Sequence, residues 1–224
     1  MADKENFVVV YPNGSGYLRT RFLTWNSGNC CGYALARNID DVGFISKLID
    51  RLISDFKVDK RRVFVTGISN GGMMAHKLGC QIADKIAAIA PVAGALNVPD
   101  CKPSEPVAVV IFHGTEDKHV LYGGGRPIQR VDKRDRVDAP ARYGFTFWAA
   151  RNYCLQPVSR NESGKIVKEQ FSVCGEGRDV ILYTLVDGGH VWPGEAGNFW
   201  KGNTSAQTFS ATEVIWDFFR SHGK

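Results

Sequence analysis

The sequence predicts an α/β fold, a mostly parallel sheet flanked by helices, and three observations predict it. Short apolar runs alternate along the chain with stretches of helical periodicity. Those runs are rich in Val, Ile and aromatic residues and lack clean polar alternation, as strands buried on both faces do. Their exits carry Gly, Pro, Asp or His, at the carboxyl ends where active sites of parallel sheets gather. At 224 residues the chain fits one domain over 1–224.

The first strand candidate is Phe7–Tyr11. Asn38 then reads as a helix N-cap. After it Ile39, Val42, Ile45, Leu48, Ile49, Leu52, Ile53 and Phe56 recur at three- and four-residue steps and form one apolar face. The strand Val63–Thr66 is followed by a helix from Asn70 towards Ala83. Ile86–Pro91, Val107–Phe112 and Val180–Val186 supply the remaining strands. Ser210 and Glu213 form a capping box for a last helix, whose Val214, Ile215, Phe218 and Phe219 would dock on the sheet. No repeat or linker divides the chain.

The net charge of +5 is modest. Much of the excess lies between Arg126 and Arg142, where Arg130, Lys133, Arg134 and Arg136 alternate with Asp132, Asp135 and Asp138. Mixed signs read as a solvated loop or helix face and not as a nucleic-acid surface. The apolar runs are too short to span a bilayer, so no membrane partner is expected. None of the six cysteines is spaced as CxxC, which argues against structural zinc. Cys154 and Cys174 bracket a polar stretch and are the expected disulfide. Cys30 and Cys31, being adjacent, are not expected to bridge each other, so one of them should seek a distant partner. The cysteines point to an oxidising compartment, whereas the opening Met-Ala-Asp-Lys-Glu-Asn lacks the apolar run of a signal peptide.

Chemistry concentrates in three places. Gly67-Ile68-Ser69-Asn70-Gly71 reads as GxSxG, directly after a strand and before a helix, the context of a nucleophile elbow. Side chains at Gly67 and Gly71 would clash in so tight a turn, which lifts the Ser69 hydroxyl over the sheet edge. A serine needs a base. Among five histidines, His190 follows the last strand in Asp187-Gly188-Gly189-His190, where paired glycines let the ring curl back over the sheet. The orienting acid should leave an earlier strand, and His113-Gly114-Thr115-Glu116-Asp117 offers Asp117, with Glu116 as fallback. The Asn70 backbone amide is the expected oxyanion donor, and Trp192 is either a wall for the acyl group or core packing. No HExxH, calcium loop or Walker pattern occurs, and neither cofactor nor metal is expected.

Together these stretches resemble the polyhydroxybutyrate-depolymerase-like and feruloyl esterase-like α/β-hydrolases of carbohydrate esterase family 1. The resemblance rests on Phe7–Gly14 (FVVVYPNG), Thr24–Gly32 (TWNSGNCCG), Asp40–Phe44 (DDVGF), Gly67–Ala75 (GISNGGMMA), His113–Asp117 (HGTED) and Gly188–Gly194 (GGHVWPG). It implies Ser69, Asp117 and His190 as a triad, esters of short or aromatic acids as substrates, and secretion. In similar proteins a strand ending in His-Gly precedes the FVVVYP strand, lies between it and Val63–Thr66, and supplies a second oxyanion amide. Neither is found here, so the fold is expected to lack N-terminal strands and to expose a sheet edge or pair there as a homodimer. The Tyr122–Arg142 segment is expected to rim the pocket. The leading reading is a serine esterase acting through an acyl-serine. The alternative is a catalytically impaired relic or fragment that binds carbohydrate or polymer, and a peptidase would use the same triad.

Overall fold

The structure, a computed structural model, describes residues 1–130, 134–156, 158–194 and 209–224. In chain order the helices and strands are α1 (Ala2–Glu5), α2 (Gly32–Ala36), α3 (Asp41–Phe56), β1 (Phe64–Ile68), α4 (Asn70–Gln81), β2 (Ala88–Val92) and β3 (Ala108–Gly114), then α5 (Ala141–Arg151), β4 (Ser159–Ser163), β5 (Ile166–Phe171), β6 (Val180–Leu185) and α6 (Ala211–Ser221). The strands form one sheet in the order β1-β2-β3-β6-β5-β4. β1, β2, β3 and β6 run parallel, and β5 and β4 add an antiparallel hairpin at one edge.

Strand alternation divides the core in two. Ile89, Val109, Ile111, Val180 and Leu182 face α3, α4 and α5, meeting Ile45, Ile49, Met74, Leu78, Phe145 and Trp148. Their neighbours Ala88, Ala90, Val92, Ala108, Val110, Phe112, Ile181 and Tyr183 face α6. Alanines on that side of β2 leave room for Phe218 and Phe219, and Phe219 stacks on Phe64 at 4.8 Å. Burial on both faces is why β2, β3 and β6 read as unbroken apolar runs.

Four expectations are corrected. Phe7–Tyr11 is not a strand: Phe7 stacks on Trp216 of α6 at 4.1 Å, which draws the run over that helix, and Val8, Val9 and Val10 stay exposed. The outer edge of β1 has no ladder partner among the described residues, as the expected open edge requires. The cap of α3 is Asp40, whose carboxylate accepts from the Gly43 amide at 2.8 Å. A carboxylate at that end also meets the positive end of the helix dipole. Asn38 instead sits at φ 47° and accepts from the Asn26 amide. Cys30 and Cys31 do bridge each other; the peptide between them is cis, and their Cα atoms lie 3.1 Å apart. Cys154–Cys174 forms as expected, alongside Cys80–Cys101. Finally, the mixed-charge run is not all solvated. Arg126 and Asp135 pair in the open, but the Arg136 and Asp138 side chains are 10% and 0% exposed and pair at 2.9 Å. Burying Asp138 is tolerable because Asn97 also donates to it. Asp132 and Lys133 lie outside the described residues.

The sequence reading also passed over α5 and the β4–β5 hairpin. Asn152, at the end of α5, is fully buried and spans three elements. Its Oδ1 accepts from the Val107 amide at 3.2 Å, while Nδ2 donates to the Val107 and Arg178 carbonyls at 2.7 and 2.8 Å. Asn152→Ala would strand these backbone groups in a dry interior, at a cost of about 2–4 kcal/mol. Urea unfolding should show this as a lower midpoint at unchanged slope; a loss below about 0.5 kcal/mol would mean the backbone groups find other partners.

Candidate active site

Ser69 directly follows β1 and caps α4 with φ 57° and ψ −120°, a region that side chains rarely occupy. The conformation is held from both sides: its amide donates to the Val92 carbonyl and its carbonyl accepts from the Met73 amide, each at 2.9 Å. A Cβ on Gly67 would lie 2.7 Å from the Gly71 carbonyl carbon, so only glycine fits there. At Gly71 a Cβ would meet open space, which corrects the expected clash: the backbone of Gly71 crowds Gly67, not the reverse. Gly72, which the sequence reading did not single out, carries a second constraint, since its Cβ would fall 2.8 Å from the Val92 carbonyl oxygen.

Asn70 opens α4, so its amide belongs to the first-turn donors that have no partner within the helix. Its side chain is committed elsewhere. Oδ1 accepts from the Trp25 amide at 2.7 Å, and Nδ2 donates to the Trp25 carbonyl at 3.0 Å and Ser27 Oγ at 2.9 Å. The Ser69 turn is thereby stitched to the loop that ends in the Cys30–Cys31 disulfide.

Asp117 and His190 meet. Asp117 leaves β3 through a tight turn, and its Oδ1 accepts the amides of His119 and Val120 at 2.8 and 2.9 Å. Its Oδ2 lies 2.7 Å from His190 Nδ1. Both side chains are buried. Burial works against the charge on Asp117, yet hydrogen bonds from His113 and His190 hold its carboxyl well below the usual carboxylate range. Glu116 is exposed and takes no part in this cluster. The close approach of the His190 loop to β3 requires Gly114, where a Cβ would collide with the Gly188 carbonyl.

Strand register puts these parts on one edge. Ile68 pairs with Val92, Val92 with Phe112, and Gly114 with Leu185, so Ser69, the Asp117 turn and the His190 loop all leave the carboxyl end of the sheet. The other histidines have other surroundings. His76 is sealed under α5, takes a hydrogen bond from Trp148 Nε1 at 3.0 Å, and is pushed down to about 3 by burial. His222 accompanies the C-terminal turn of α6. His119 lies tilted beside His190 with ring centroids 5.0 Å apart and points Nδ1 at the Gln129 carbonyl. Its pKa is lowered, by burial first and then by His190.

Trp192 packs on the α6 cluster and donates to Thr212 Oγ1 at 2.9 Å. The segment from Tyr122 is anchored by the Tyr122 hydroxyl on Thr184 at 2.7 Å and by the pairing of Gly125 with Asp138. Arg136 then ties this segment to the His119 carbonyl and to Cys30 Sγ. The sequence reading missed His113, Arg136 and Asn97 as parts of this scaffold. His113 alone left a signal there, a polar residue closing an otherwise apolar strand. Among the described residues no group of three or more His, Cys, Asp or Glu could hold a metal ion.

Comparison with known proteins finds esterase relatives. The chain is 37% identical to feruloyl esterase B of Piromyces equi over 171 residues, which is 74% of this chain and 31% of that protein. It is 35% identical to the bifunctional acetylxylan esterase/xylanase XynS20E of Neocallimastix patriciarum over 122 residues, 54% of this chain and 16% of that protein. Among solved structures, native sOPH superposes with a TM-score of 0.51 at 19% identity, covering 95% of this chain and 63% of that one. The chain thus spans less than two thirds of the length of each of these proteins. No family model matches the sequence.

Proposed function

Because this chain is a feruloyl esterase-like α/β-hydrolase, we propose that it hydrolyses carboxylic esters through an acyl-serine intermediate, with Ser69 as nucleophile, His190 as base and Asp117 as the orienting acid. The observation that carries this reading is the buried Asp117–His190 pair at 2.7 Å, on the sheet edge where Ser69 is held in a strained turn. With Nδ1 engaged by Asp117, the Nε2 of His190 is the ring nitrogen left to accept the Ser69 proton. His190 takes the Ser69 proton as Oγ attacks the carbonyl carbon, and Asp117 stabilises the imidazolium. The Asn70 amide, at the positive end of α4, donates a hydrogen bond to the developing oxyanion. His190 returns the proton to the leaving alcohol, and water repeats the sequence to free the acid.

The substrate class proposed is esters of short acyl or hydroxycinnamoyl acids, in line with the relatives named feruloyl and acetylxylan esterases. The three disulfides support an oxidising, extracellular or periplasmic setting. No helix among the described residues is long and apolar enough to cross a membrane.

The test is turnover of p-nitrophenyl esters of increasing acyl length and of methyl ferulate, alongside peptide substrates. Ester turnover and fluorophosphonate labelling without peptide cleavage are the expected results, since labelling needs an activated serine. Folded protein that neither turns over esters nor takes the label would overturn the reading in favour of a binding relic. Cleavage of peptides in preference to esters would make it a peptidase.

A further inference from the structure

The buried group closest to the candidate machinery but given no role in it is His113, the penultimate residue of β3. Its side chain is fully buried. Nε2 lies 2.7 Å from the Val120 carbonyl and 3.4 Å from Asp117 Oδ2. A carbonyl can only accept, so Nε2 carries the proton and shares it between the two oxygens. Nδ1 has no hydrogen-bond partner. The ring stands edge-to-face on Tyr122, which is itself fixed to Thr184, so it has little freedom to turn.

We propose that His113 is a positioning residue for the acid: its Nε2–H pins the Val120 carbonyl and Asp117 Oδ2 together, fixing the carboxylate so that it meets His190 Nδ1. The inference rests on the ester-hydrolysis reading for its kinetic consequence but not for its geometry. The Asp117 turn closes on itself through the His119 and Val120 amides, which both bind Oδ1. Nothing in that turn holds Oδ2, the oxygen that faces His190. His113 reaches it from the strand beneath, joining the rigid end of β3 to the far side of the turn. The other titratable groups felt by this cluster are His119 beside His190, and Asp138 and His76 near His113.

The test compares His113→Phe, which keeps the ring against Tyr122 but has no N–H, with His113→Gln, whose Nε2 can donate from nearly the same place. His190 titration is followed by NMR on protein labelled with ¹⁵N at histidine, which reads the coupling whether or not the protein turns over ester. In His113→Phe the loosened carboxylate stabilises the imidazolium less, so the His190 midpoint falls by about half a unit and returns in His113→Gln. On ester substrate, kcat of His113→Phe falls about tenfold with KM within about twofold, and His113→Gln recovers most of it. A folded His113→Phe with wild-type His190 titration would overturn the proposal. A loss of stability shared by both variants without movement of the His190 midpoint would reduce His113 to packing and overturn it equally. If wild type has no esterase activity, a shifted midpoint would still uphold the positioning role while the activity reading falls.

Discussion

Ser69→Ala is expected to lower kcat on p-nitrophenyl acetate by about 10⁶-fold, the loss seen when a serine hydrolase triad is deprived of its nucleophile. The size follows from what the hydroxyl alone supplies. Among the described residues no other serine or cysteine has a positive φ; Ser69 sits at φ 57° and ψ −120° between a strand end and a helix start. Binding should be nearly unchanged, because alanine removes one oxygen and leaves the Asn70 amide and the Asp117–His190 pair in place. The fold should be unaffected too, since the Ser69 side chain makes no capping hydrogen bond to α4. Steady-state kinetics, with fluorophosphonate labelling as a control, read both points. Retention of more than about 1% of kcat would place the nucleophile elsewhere. A collapse in melting temperature alongside the loss would mean that the hydroxyl also supports the turn.

What could be read from sequence and what could not divides along the distance over which each residue acts. The strand–turn–helix geometry around Ser69 was legible because its demands are local: Gly67 is required by a backbone four residues away, and the strand before it and the helix after it are contiguous in the chain. Asp117 and His190 were legible because each leaves a recognisably apolar strand at a glycine-rich exit. The parallel strands β2, β3 and β6 were legible because burial on both faces makes them continuous apolar runs. Asn152 was not legible, since its partners Val107 and Arg178 lie 45 and 26 residues away and nothing near it in sequence signals a clamp. Arg136 and Asp138 looked like the exposed Arg126 and Asp135 around them, because composition does not tell a buried ion pair from a solvated one. Phe7–Tyr11 misled for the opposite reason. Its residue types favour a strand, but residue type does not choose a partner: Phe7 stacks on Trp216, and the run leaves the open edge of β1 unpaired.

The second large effect is expected from Asp117→Asn, a fall in kcat of about 10⁴-fold with the fold intact. The hydrogen-bond inventory of the site dictates it. Two backbone amides, those of His119 and Val120, point at Oδ1 and demand an acceptor there. An asparagine must therefore place its carbonyl oxygen at that position and its NH₂ where Oδ2 was. That NH₂ then faces His190 Nδ1 at 2.7 Å and His113 Nε2 at 3.4 Å. His190 can accept from it only by moving its proton to Nε2, and Nε2 is then unable to take the Ser69 proton. The wrong tautomer is trapped by the same turn that holds the right one in the wild type. Stability should separate the two proteins in a defined direction. The Asp117 carboxyl is held below the usual carboxylate range when folded, so its contribution is complete above the unfolded value of about 4 and is lost as pH falls through the folded one. The stability advantage of wild type over Asp117→Asn should therefore narrow on acidification below about pH 4 and hold steady from there to neutrality. Urea unfolding at pH 3 and pH 7 measures that difference. An advantage that instead grew towards acid would mean the charged carboxylate costs the fold more than it returns, leaving catalysis as the only reason for an aspartate at this position.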